Sequence, residues 1–404
     1  MSEARPETRL DPQALRARLL SSLKEQGFSV GSDGLIRPGG WDKQAIRQLH
    51  AQALHARIER AREGLERHEA RLVGYIADGR DLDPNTIAPV LREVQPNSED
   101  ELLFRYARLH WSVPISAGYG RRLRFLVFDR QNGKLMGLFG LGDPVFAIGP
   151  RDRWIGWDRE MRLERLRFIM EAFVVGAVPP YSQLLCGKLV AMLLASREVA
   201  RAFKRKYSGS RALISGRPLD GRLALVTTSS ALGRSALYNR LRLRDRQLYI
   251  SVGFTSGSGE FHFSNGIYED LLSFARIARA PTAKHDRWGV GWRSRREVVR
   301  SVLPKLDLPR ELLYHGVRRE LFVVPLASNA REFLRGQDAR LRAYDMTTED
   351  VFGWFRERWL IPRATRDTAF RQFSSSSYRL WLGAEGGRQE VQGGSRTRGL
   401  RSSP

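Results

Sequence analysis

Cysteine is nearly missing from this chain: among 404 residues Cys186 stands alone. One thiol makes no internal disulfide and no cysteine-based zinc cluster, so packing must hold the fold and a reducing compartment is expected. Long apolar runs are missing as well, since no stretch approaches the roughly 20 residues that span a bilayer. The first residues, MSEARPETRL, lack the basic-then-apolar order of a signal peptide. The expectation is a cytoplasmic protein without membrane contact. Metal motifs are absent too: neither H-x-x-x-H nor H-E-x-x-H occurs, and His50, His55 and His68 are spaced too irregularly along one helix to converge. No metal is assigned. Acidic residues are few relative to basic ones, 44 Asp and Glu against 68 Lys and Arg, which leaves a net charge of +24. That excess attracts polyanions over long range and points to DNA or RNA. A solvated basic surface accounts for the charge equally well.

What is present suffices for a core. Hydrophobic residues make up 42% and aromatics 10% of the chain, and its length suits two or three domains. Residues 1–110 form an N-terminal helical arm, in which Asp42 caps a long helix running to about Ile76. Residues 111–280 form an α/β core. Leu123 to Asp129 and Lys134 to Gly140 flank Asn132-Gly133, the pair suited to a tight hairpin turn, and their nearly continuous apolar runs predict a strand covered on both faces. Two helices are expected next, Arg159 to Val175 and Leu184 to about Tyr207, the second ending on Lys204-Arg205-Lys206 as the helix dipole favours. Leu223 to Thr227, Gln247 to Phe254 and Glu260 to Phe263 have strand composition. Residues 281–383 are an α-rich extension with an edge strand at Leu321 to Leu326 stopped by Pro325. Residues 384–404, rich in Gly, Ser and Arg, read as a disordered basic tail.

Four segments stand out: Trp111 to Arg122 (WSVPISAGYGRR), Gly140 to Asp158 (GLGDPVFAIGPRDRWIGWD), Pro179 to Lys188 (PPYSQLLCGK) and Thr227 to Leu241 (TTSSALGRSALYNRL). In this order they resemble the Druantia protein A family of bacterial anti-phage systems, from about Asp11 to Gly383. The resemblance implies a role beside other Druantia proteins, including a large helicase-like one, and brings no agreed catalytic mechanism or cofactor. The order of elements also resembles the GNAT-type acyltransferase fold, a mixed sheet that binds acyl-coenzyme A between splayed strands. Its pyrophosphate loop has no counterpart at the expected position; the nearest matches are Gly118-Tyr119-Gly120 with Arg121 and Arg122, and Leu232-Gly233-Arg234.

The residues themselves suggest where chemistry sits. Asp152 and Arg153 beside Trp154 and Trp157 put charges next to stacking rings in a Gly-bounded loop suited to a phosphate-bearing planar ligand. On that reading Asp152→Asn abolishes function and leaves folding intact; the alternative is that the tryptophans anchor the loop and Asp152 caps the helix or pairs with an arginine. Gly233, Arg234 and Ser235, with Ser229 and Ser230, have the composition of a phosphate-holding turn or of an N-cap. Tyr238 and Asp152 are the candidate catalytic groups, Tyr238 as a proton donor beside Tyr249, with core packing as the alternative for both tyrosines. Lys188 on an apolar helix either titrates low or snorkels. Trp288, Trp292, Arg293, Arg296 and Arg300 place rings and guanidiniums together as a nucleic-acid surface requires, or form a solvated basic helix. Three functions therefore compete: a defence subunit contacting nucleic acid and partner proteins, with self-association open; an acyltransferase-like or nucleotide-modifying enzyme using a central pocket; and a structural adaptor.

Overall fold

The Asn132-Gly133 turn joins two antiparallel strands, β2 (Arg122–Asp129) and β3 (Leu135–Gly142). In this computed structural model, which describes residues 11–31, 33, 35–113, 120–211, 216–264, 266–278 and 292–381, the turn is longer than a two-residue hairpin. The Asp129 N–H donates to the Lys134 carbonyl and the Gly133 N–H to the Asp129 carbonyl, both at 2.8 Å. Only Gly133 takes positive φ, +69°, so the glycine is required and Asn132 serves differently: its side chain accepts from the Lys134 N–H at 2.9 Å. Every residue of β3 is buried, as its unbroken apolar run implies.

The stretch from Arg159 to Val175 is where the expectation fails. A helix, α5, covers only Arg159–Arg165, and Ile169–Ala177 is a strand, β4. Ile169, Phe173, Val174 and Val175 are β-branched or aromatic, and a short apolar run buried on both faces carries no period that separates strand from helix. Residues Leu184 to Tyr207 hold two helices, α6 (Cys186–Leu193) and α7 (Arg197–Tyr207), the latter ending on the expected basic turn. Glu260 to Phe263 is no strand but leads into a single 3₁₀ turn.

The sheet has seven strands in the order β6-β7-β5-β4-β3-β2-β1, with β1 at Pro89–Glu93, β5 at Leu225–Ser229, β6 at Ile250–Phe254 and β7 at Glu320–Pro325. It is a mixed α/β sheet: β4 and β5 run parallel and every other neighbouring pair antiparallel. The strand expected at an edge, β7, lies inside, between β6 and β5; Pro325 is tolerated because it is the last residue of the ladder, opposite Leu225. Strands from residues 1–110, 111–280 and 281–383 thus share one sheet. Residues 384–404 lie outside the described part.

One face, with Phe125, Met136, Met170, Val226 and Phe322, packs on α6. The other meets α3 (Glu99–Ala107) through Leu126, Phe128 and Val174, and α4 (Gly149–Ile155) through Ile169, Leu225 and Val323. A separate apolar core joins α1 (Pro12–Glu25), the first half of α2 (Lys43–Leu65), α8 (Ile267–Ile277) and α9 (Trp292–Val302). Asp42 caps α2 as expected, accepting from the N–H groups of Gln44 and Ala45 at 2.7 and 3.0 Å. No helix among the described residues is long and apolar enough to cross a membrane.

The pairing of β4 with β5 runs only from Ile169 opposite Leu225 to Ala172 opposite Thr228. There the register of β4 against β3 shifts by one residue, at Phe173, and β4 continues to Ala177 with β3 alone. Trp111 covers this stretch: its Nε1 donates to the Val175 carbonyl at 3.4 Å. Its ring lies so near Gly176 that a Cβ there would sit 2.8 Å from Cζ2, so glycine is needed for the approach.

Candidate polyanion-binding site

The segment expected to be a ligand-gripping loop is α4, closed by Gly156 at φ +88°. Arg151 is fully buried; its Nε and Nη2 reach Asp152 at 2.8 and 2.7 Å, and Nη1 and Nη2 donate to the Val145 and Phe146 carbonyls. The second Asp152 oxygen accepts from Arg162 Nη1 at 2.9 Å and from the Ile148 N–H at 3.2 Å. Both carboxylate oxygens are thus engaged inside the protein. Trp157 is buried and donates to the Leu334 carbonyl at 2.7 Å, Trp154 is half-buried beside Arg331, and Arg153 is exposed.

The Ser and Gly turn does hold an anion, and the anion is internal. Glu320, buried at the start of β7, accepts from the Ser235 N–H at 2.9 Å, from Asn239 Nδ2 at 3.2 Å and from Ser251 Oγ at 2.8 Å. Gly233, at φ +72°, turns the chain so that its carbonyl accepts from the Glu320 N–H at 3.0 Å, while Arg234 points outward, exposed. Ser235 Oγ caps the following turn by accepting from the Tyr238 N–H at 3.0 Å. The ring of Tyr238 stacks on Tyr249 at 4.8 Å and 7°. Burial pushes the Tyr238 hydroxyl up to about 12, opposed by a hydrogen bond with Thr228. Tyr249 donates to the Ala191 carbonyl at 2.7 Å. Tyr238 packs on the α6 core and the Asp152 helix on the opposite one, so the two candidate catalytic groups do not converge. Lys188 sits over the Trp359 ring at 4.8 Å, its ammonium lowered by burial and by the charges of Arg240 and Arg358.

On α9, Val298, Val299 and Val302 are buried, Arg296 lies over Tyr314, and Arg300 is exposed. Trp288 lies outside the described residues, as do the side chains of Trp292 and Arg293. Arg121 is a clamp, bonded to Asp143 at 2.6 Å and to the Arg167 and Ile169 carbonyls. Its neighbour Arg122 lies over the Phe173 ring at 5.0 Å.

Arg122 belongs to a cluster that sequence reading left unassigned. Arg122 and Arg124 alternate along β2 onto one face, where Arg57 of α2 and Arg108, just after α3, join them. Both terminal nitrogens of Arg57 and the Nε of Arg108 are sealed from solvent without a hydrogen-bond partner. Burial first, then the Arg108 charge, lowers the Arg57 guanidinium to about 10. Arg108 is lowered by burial and by Arg105, Arg122 and Arg124. A carboxylate here, Glu101, is held by Arg124 at 2.6 Å and by the Asn97 N–H. Cations that repel one another in a partly dry site make an arrangement that an incoming polyanion stabilises. A sequence signal did exist: Arg57 continues the buried stripe of Ile46, Leu49, His50 and Ala53, a place where an apolar residue is expected.

The family model described as "Druantia protein DruA" matches residues 41–336, which contain the whole cluster. The chain belongs to the DruA family. A Druantia protein DruA of Escherichia coli (strain UMEA 4076-1) is 37% identical over 368 residues, covering 91% of this chain and 89% of that protein. All four segments singled out in the sequence fall within the residues that the DruA model matches.

Proposed function

We propose that this DruA-family protein is the nucleic-acid-contacting component of a cytoplasmic Druantia anti-phage system, acting beside other proteins of that system, a helicase-like one among them. The observation that carries this reading is Arg57, a guanidinium with both terminal nitrogens sealed and no acceptor, repelled by Arg108. A phosphate backbone supplies the missing charge, and the +24 net charge draws it in. The exposed Arg300 and the ring-backed Arg296 add basic charge on α9. The test is fluorescence anisotropy with labelled single- and double-stranded DNA and RNA over a salt series. Affinity is expected to fall steeply with salt, and Arg57→Met is expected to weaken binding and reduce the log–log slope by about 1. No binding to any strand at about 50 mM salt, where counterion release is permissive, refutes it.

A second reading, an acyltransferase-like enzyme, is favoured by the parting of β4 from β5 after Ala172 together with the register shift at Phe173. In the acyltransferase fold such a gap holds acyl-coenzyme A. Saturable binding of coenzyme A would favour it.

A further inference from the structure

Arg319, like Arg57, carries a guanidinium nitrogen that is sealed from solvent with no acceptor. Its Nε is sealed from solvent and unpartnered, and Nη2 meets one neutral acceptor, His50 Nε2, at 3.2 Å. The adjacent carboxylate, Glu320, is committed to Ser235, Asn239 and Ser251. Nor do the surrounding rings bring charge. His50, His262 and His315, gathered around Phe261, are pushed down by burial to about 3, 4 and 2, with Arg319 itself contributing for His50 and His315. Arg319 as a whole residue is half-buried.

The backbone around it is fixed. The Thr255 N–H donates to the Arg319 carbonyl at 2.9 Å, and Thr255 Oγ1 accepts from the Arg319 N–H at 3.0 Å. The loop that follows, Ser256-Gly257-Ser258, exposes both serines. It is held against Gly316 so closely that a Cβ on Gly257 would sit 2.8 Å from the Gly316 carbonyl carbon. A desolvated guanidinium with its Nε donor to spare, on a residue whose backbone is bonded to the start of a pinned loop with exposed hydroxyls, matches the oxygens of a phosphate.

We infer that Arg319, with His50 and the Thr255–Ser258 loop, forms a binding site for a phosphate group, separate from the Arg57 cluster. His50 and Arg57 are seven residues apart on α2, about 10 Å by helical rise, so the two anion positions share one helix face. The inference stands independently of the nucleic-acid reading, because a free phosphate ester and the phosphorylated end of a strand satisfy the same chemistry.

The test is thermal melting of the full chain in inorganic phosphate against sodium chloride of equal ionic strength. Phosphate is expected to raise the wild-type midpoint saturably beyond chloride. Arg319→Met is expected to melt no lower than wild type in chloride, since it removes an uncompensated cation, and to lose the phosphate shift. Arg57→Met keeps that shift. Absence of a phosphate-specific shift in wild type, or an undiminished one in Arg319→Met, overturns the inference. Should Arg319→Met not fold, Arg319→Lys, which keeps the charge without the fork, is expected to lower phosphate affinity at least tenfold; unchanged affinity overturns it. Adenosine monophosphate, a 5′-phosphorylated and a 5′-hydroxyl oligonucleotide then separate the sources. An Arg319-dependent shift with the monophosphate marks a free ester, and one confined to the phosphorylated oligonucleotide marks a strand end; an Arg319-independent response to both contradicts the site.

Discussion

Arg151 is fully buried and Arg57 half-buried with both terminal nitrogens sealed, and the protein treats the two in opposite ways. Arg151 has Asp152 on two nitrogens and two backbone carbonyls on the rest of its fork. Arg57 has neighbours of its own sign and no acceptor for either terminal nitrogen. Desolvating a guanidinium costs several kcal/mol unless partners compensate. The first region meets that cost internally and is therefore complete as structure. The second leaves it unmet, a condition that persists where a ligand supplies the missing charge. Glu320 belongs with the first kind, since its turn of Ser and Gly donors is filled from within the chain.

The comparison breaks most visibly at Asp152. Asp152→Asn leaves Arg151 buried beside a neutral amide and takes the charge from the Arg162 bond as well, so a loss of about 3 to 5 kcal/mol is expected, read from urea unfolding. This reverses the expectation drawn from sequence, in which the substitution spared folding. An Asp152→Asn protein as stable as its parent, yet inactive against phage, would restore a ligand-binding role to that helix.

Acid gives the next effect, mostly on the Arg319 side. His50, His262 and His315, together with His110, are held neutral by burial, with folded values from about 4 for His262 down to about 2 for His315, against 6.5 in an open chain. A folded value below the unfolded one means that the unfolded chain takes up the proton first. The stability these rings confer is thus complete above pH 6.5 and is lost as pH falls toward 4. Each ring contributes a slope of about 1.4 kcal/mol per pH unit in that window. Glu171 and Glu260, raised by burial, act in the opposite direction. Urea midpoints at pH 7, 6 and 5 are expected to fall steadily; a flat profile contradicts buried neutral histidines.

Much of the frame was legible because its signals are local. Asn132-Gly133 marked the hairpin, Asp42 the start of α2, and Lys204-Arg205-Lys206 the end of α7. The strand β4 was not legible, since Ile169 to Val175 suits a buried strand and a buried helix alike. The candidate site was legible only in part. Arg122 was singled out and Arg57 is marked only by its place on the buried stripe of α2, whereas Arg108 and Arg319 lie among 68 Lys and Arg residues with nothing local to mark them. What distinguishes them is the absence of a carboxylate, and that is decided by which elements meet. The same holds for the turn at Ser235, whose anion comes from Glu320, 85 residues away in sequence.

The smallest expected effect is the most direct test of the contrast between compensated and uncompensated arginines: the thermal midpoint of Arg57→Met. Removing a cation that no carboxylate compensates is expected to leave the midpoint unchanged or to raise it. A midpoint lowered as far as that of Asp152→Asn would show that Arg57 holds the fold together, and would contradict its assignment to a polyanion-binding site.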